Sequence, residues 1–93
     1  MFKIIVADDE ARIRKLVADF LRKDGYEVLE AEDGDEAYAM FERERNSIGL
    51  IILDIMMPGL NGWEVCRKIR ETETIERNWR KWYVYDAGNP EGT

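Results

Sequence analysis

Short continuous apolar runs along this chain each end on acidic or turn residues. Lys3–Ala7 (KIIVA) stops at Asp8-Asp9, and Leu50–Leu53 runs into Asp54 before Pro58-Gly59. A continuous apolar run closed by such punctuation suits a strand buried on both faces, as in a parallel sheet. Tyr26–Ala31 (YEVLEA) alternates in part and reads as a more exposed strand. Helical periodicity fills the gaps. Ile13, Leu16, Val17, Phe20 and Leu21 form one stripe, with Arg12, Arg14, Lys15, Arg22 and Lys23 on the other faces. Asp24-Gly25 stops this helix, Gly25 being suited to the left-handed C-terminal position. A second helix is expected over 35–45, with Ala37, Met40, Phe41 and Glu44 on one face. Ser47-Ile48-Gly49 is read as the break before a strand at Leu50. Beyond the Gly59–Gly62 loop, Val65, Cys66 and Ile69 mark a third helix, and Trp63 is read as part of its packing.

The order β-α-β-α-β-α calls for a parallel sheet with right-handed crossovers. Past Ile75 the composition shifts, and Trp79, Trp82, Tyr83 and Tyr85 cluster. Helical spacing through Ile75, Trp79, Trp82 and Tyr83 competes with the high β propensity of Trp82–Tyr85 (WYVY), and the strand is the favoured reading. The polar end, 87–93, is expected to fray.

Length and charge narrow the function. A chain of 93 residues bounds a single small domain. A net charge of −6 without histidine argues against nucleic acid or an anionic membrane as partner. It also removes imidazole bases and histidine-ligated metals. The single cysteine, Cys66, fits a reducing compartment and reads as a small buried hydrophobe rather than a nucleophile. With no apolar run near the ~20 residues of a membrane span, a soluble cytoplasmic protein is the expectation.

The chemistry concentrates where strands end. In a doubly wound sheet ordered 2-1-3, strands one and three are neighbours, about 4.8 Å apart. Asp8, Asp9 and Asp54 then converge at their carboxyl ends, where open α/β sheets bind ligands. Each like-charge pair at ~5 Å costs about 3 kcal/mol before screening at an effective dielectric of ~20. Protonation of one carboxylate or a bound cation relieves this, and few hard oxygen ligands with open positions suit Mg²⁺. A plain helix-capping role for Asp8 and Asp9 leaves the third aspartate unexplained.

Three stretches, IVADDEARIRKLV, AEDGDEAYAMF and LIILDIMMPGLNGWEV, resemble the receiver domain of two-component response regulators, together covering residues 1–75. The resemblance implies a flavodoxin-like (CheY-like) α/β fold, a parallel three-layer sandwich. It also implies a phosphoacceptor at Asp54 and Mg²⁺ held by Asp9, Asp54 and the backbone carbonyl of Met56, with Asp8 acting through water. The implied partner is a sensor histidine kinase, and the implied role is signalling rather than enzymatic. The family's pattern of a fourth strand ending in Ser or Thr and a fifth ending in Lys has no counterpart in residues 76–93, which are read as a non-family tail. Aspartyl phosphorylation is therefore expected to be weak or lost. A truncated or chimeric half-flavodoxin that oligomerises without signalling is the second reading. A Mg²⁺ phosphohydrolase is a weaker third, since it wants an aspartate where Met56 stands. The aromatic cluster reads equally as a patch covering the sheet edge and as a partner interface, and the open edge predicts a homodimer, with or without exchanged segments, whose interface contains Trp79, Trp82, Tyr83 or Tyr85.

Overall fold

The structure, a computed structural model, describes residues 2–72 and the backbone of 81–85. The elements run β1 (Lys3–Ala7), α1 (Ala11–Lys23), β2 (Glu27–Ala31), α2 (Gly34–Arg43), β3 (Ile48–Asp54), α3 (Gly62–Thr72) and β4 (Lys81–Tyr85). The strands form one parallel sheet ordered β2-β1-β3-β4. The expected core order 2-1-3 is present, with the tail strand added beside β3. The side chains of Trp82, Tyr83 and Tyr85, and all of Trp79 and 87–93, lie outside the described residues.

β1 shows why a continuous apolar run belongs in the sheet centre. Ile5 and Ala7 pack on one face with Ala37 and Phe41 of α2 and Val65, Cys66 and Ile69 of α3. Ile4 and Val6 pack on the other with Ala18 of α1 and Val28 of β2. Two helices thus cover one face and α1 covers the other, the three-layer arrangement.

Helix ends follow local chemistry. Gly25 takes φ +96° after α1, as a C-terminal glycine should. Asp33 caps α2, its carboxylate accepting from the Glu36 N–H at 2.8 Å. Asn61 and Glu64 form a reciprocal capping box at the start of α3, both bonds 2.9 Å.

Four expectations are corrected. β3 starts at Ile48, not Leu50, because the sheet tolerates a shift: Lys3 pairs with Ile48 and Ile4 with Leu50, leaving Gly49 as the extra residue. A side chain at Gly49 would collide with the Phe2 ring. α2 begins at Gly34 and ends at Arg43, since the cap is Asp33 and not the following turn. α1 is rotated away from its apolar stripe. Its inward centre is Ala18, with Val17 and Leu21 half-buried, while Leu16 is 68% and Phe20 73% exposed. Arg14 and Arg22 lie on the inner flank instead, reaching Glu30 of β2 at 3.4 Å and 2.8 Å. Trp63 is not packing the core: it is 57% exposed and lines a surface groove with Cys66, Arg67, Arg70 and Glu71.

Candidate metal centre

β1 and β3 are adjacent and parallel, with Ala7 in register with Leu53, so both strands deliver acids to the same end of the sheet. Asp8 follows β1 and is fully buried, and Asp54 closes β3 at 3% exposure. Asp9 is exposed above them. One carboxylate oxygen from each of Asp8, Asp9 and Asp54 lies within 4.8 Å of the others. The convergence expected from the sequence is therefore formed by strand pairing alone.

Backbone groups fix the two buried carboxylates. Asp8 Oδ1 accepts from the Glu10 N–H at 2.9 Å, at the entry to α1. Asp54 Oδ1 accepts from the Met56 N–H at 3.1 Å. The Asp8 N–H donates to the Ala31 carbonyl at 3.1 Å, and Arg14 donates to the Asp8 carbonyl at 2.9 Å. The first two bonds orient the carboxylates and leave their other lone pairs for a ligand, and the last two anchor the Asp8 backbone.

A depression of about 350 Å³ opens beside Asp9, lined also by Ile55, Met56, Met57, Pro58, Gly59 and Asn61. Met56 is 63% exposed at its rim. The donor set is all carboxylate oxygen, clustered on one side and open on the other. That is what a small hard cation retaining several waters requires, and it fits Mg²⁺.

Two glycines that the spacing argument did not single out as site residues hold the surrounding loop. A side chain at Gly62 would stand 2.6 Å from the Asp54 carbonyl, so α3 can begin against the end of β3 only with glycine there. A side chain at Gly34 would overlap the Leu60 carbonyl, so α2 packs directly on the loop lining the depression. The signal in the sequence was the glycine at each helix start, but only the tertiary approach gives it meaning. Cys66 is buried in α3, and burial pushes its thiol up, with Arg70 pulling it partly back. It stays a neutral core group, as expected.

Comparison with known proteins bears on this arrangement. Residues 4–78 match the model of the response regulator receiver domain. The transcriptional regulatory protein ResD of Bacillus subtilis is 54% identical over 69 residues, which is 74% of this chain and 28% of ResD. The chain thus spans under a third of that relative's length. The response regulator TrrA in complex with the histidine kinase ThkA superposes with a TM-score of 0.79 at 38% identity, covering 96% of this chain and 72% of that one. TrrA of Thermotoga maritima in complex with Mg²⁺-BeF gives 0.75 at 33% identity, covering 96% and 90%. The shared fold, the paired strand-end acids and the matched sequence lead to one conclusion: this chain belongs to the response regulator receiver domain family.

Proposed function

We propose that Asp54 accepts a phosphoryl group from a sensor histidine kinase, with Mg²⁺ held by Asp9, Asp54 and the Met56 backbone carbonyl, and Asp8 acting through water. The observation that carries this reading is the packing of three carboxylates within 4.8 Å around the end of β3. TrrA, complexed with ThkA in one structure and with Mg²⁺-BeF in another, supports the choice of donor and ion.

Phosphoryl transfer to a carboxylate needs positioning and charge neutralisation more than covalent help. The Met56 N–H holds one Asp54 oxygen and so orients the carboxylate that attacks phosphorus. The depression beside Asp9 receives the phosphoryl group. Asp8, fixed by Glu10 and buried, contributes negative charge that draws the cation in. A bound Mg²⁺ supplies the positive charge that offsets phosphoryl and carboxylate oxygens together. Transfer to Asp54 is proposed to be weak. The proposed setting is the cytoplasm, and the proposed further partner is a second copy of the chain.

The test is mass analysis after incubation with a small phosphodonor, with and without Mg²⁺. The expected result is partial, Mg²⁺-dependent labelling at Asp54, absent in Asp54→Asn. Label retained in Asp54→Asn would overturn the assignment of the acceptor. Rapid stoichiometric labelling would overturn the expectation of weak transfer.

A further inference from the structure

Glu30 of β2 sits between two arginines of α1. It is in register with Val6 of β1 and shares the sheet face that α1 covers. Arg22 donates to Glu30 Oε2 at 2.8 Å and to the Val28 carbonyl at 3.0 Å. Nearer the start of the helix, Arg14 Nε lies 3.4 Å from Glu30 Oε1. That nitrogen is buried and makes no hydrogen bond, so charge alone holds this side of the guanidinium. The other side, through Nη1, donates to the Asp8 carbonyl at 2.9 Å. A line of contacts thus runs from the end of α1, across β2, to the first residue after β1.

Asp8 is where that line meets the acids. Its N–H donates to the Ala31 carbonyl at 3.1 Å, and its carboxylate accepts from the Glu10 N–H at 2.9 Å. The carbonyl that Arg14 holds belongs to the planar peptide joining Asp8 to Asp9. Rotation of that plane would move both acids together. The Arg14 side chain is only 13% exposed and Glu30 27%, so salt screens their attraction less than at the open surface.

We propose that Arg14 is a positioning residue for the cation site. By holding the peptide between Asp8 and Asp9, with Glu30 fixing its guanidinium from behind, it sets these acids in the arrangement that accepts Mg²⁺. The inference rests on the cation site proposed above and adds to it a residue that does not touch the ion. Clamping α1 to β2 requires only Arg22 and Glu30, whereas Arg14 alone of the two arginines reaches Asp8. The sign of its effect separates positioning from charge. A positive group beside a cation site repels the ion, so its removal would tighten binding if charge alone mattered. Positioning predicts weaker binding.

Mg²⁺ titrations of the 93-residue chain, followed through the Glu10 and Met56 amide resonances by NMR, test this. These two N–H groups bond the Asp8 and Asp54 carboxylates and so report on the site. Arg14→Met should weaken Mg²⁺ affinity about tenfold, the low end of what losing a partner outside the ligand set costs. Arg14→Lys keeps the charge but lacks the planar fork that spans both acceptors, and should lose about threefold. Arg22→Met loosens α1 without touching Asp8, and its affinity should stay within about twofold of the native value. Without metal, the Glu10 amide should exchange with solvent faster in Arg14→Met than in Arg22→Met. Native or tighter affinity in Arg14→Met would overturn the inference, and the same result in Arg14→Lys decides the matter should Arg14→Met fail to fold. An equal loss in Arg22→Met would also overturn it, since the effect would then be a general loosening of the helix. A native chain that binds no Mg²⁺ would remove the cation site and this inference with it, a result distinct from native binding that the Arg14 variants share.

Discussion

Lys3 shows how one residue ties distant parts of the chain together. Its ammonium pairs with Glu44, beyond the end of α2, and lies 3.6 Å from Glu27 of β2. The Glu44 hydrogen bond holds Lys3 above its usual 10.5, with Glu27 adding to the effect. The same bond holds Glu44 below its usual 4.5. The signs differ. Lys3, raised, contributes stability that is complete below about 10.5 and lost as pH rises through its folded value. Glu44, lowered, contributes stability that is present above about 4.5 and lost as pH falls through its folded value. Lys3→Met should therefore lower the melting temperature by a constant amount between about pH 5 and 10. The gap from the native chain should close on either side of that window. A gap independent of pH from 3 to 11, followed by thermal melts, would mean the pair contributes only packing.

At the scale of elements, the junction of α2 with the Pro58–Asn61 loop is the point most sensitive to size. A methyl group at Gly34 overlaps the Leu60 backbone, which cannot rotate away as a side chain can. Gly34→Ala should cost about 1–3 kcal/mol in denaturant unfolding. It should also weaken cation binding, because the displaced loop lines the depression beside Asp9. An unchanged midpoint would show that the loop gives way freely. Elements of this kind set the limit of what the sequence made legible. The strand cores, the three helices and their order were readable because runs and periodicity report burial directly. The rotation of α1 was not, because its apolar stripe is wider than its contact with the sheet. Periodicity could not say that Ala18, rather than Leu16 or Phe20, meets Ile4 and Val6. Nor could it say that Arg14 and Arg22 would lie toward β2, drawn there by Glu30. The start of β3 was misplaced because Gly49 reads as a breaker locally but serves as the extra residue opposite β1. Trp63 carried a large apolar side chain into a helix whose inner face was already filled by Val65, Cys66 and Ile69.

For the whole molecule, the acid site is a product of topology. Asp8-Asp9 and Asp54 are far apart in sequence, and parallel pairing of β1 with β3 brings them together. Their convergence was legible because a strand-ending acid after an apolar run is conspicuous, and a 2-1-3 order leaves those ends side by side. A cation between these carboxylates would offset their mutual repulsion. Asp8 and Asp54 are both buried, and each like-charge pair at this spacing costs about 3 kcal/mol before screening at an effective dielectric of ~20. Removing one charge by Asp54→Asn keeps an oxygen for the Met56 N–H and should raise the stability of the metal-free chain. The native chain should gain that stability another way.

Thermal unfolding as a function of Mg²⁺ concentration tests the central claim most directly, on the native chain and on Asp54→Asn in parallel. At about 100 times its dissociation constant, the ion should stabilise the native chain by roughly 2.7 kcal/mol. Asp54→Asn should start higher without metal and respond little to it. A native melting temperature unmoved by millimolar Mg²⁺, or an equal rise in both chains, would contradict the claim that Asp8, Asp9 and Asp54 form one cation site.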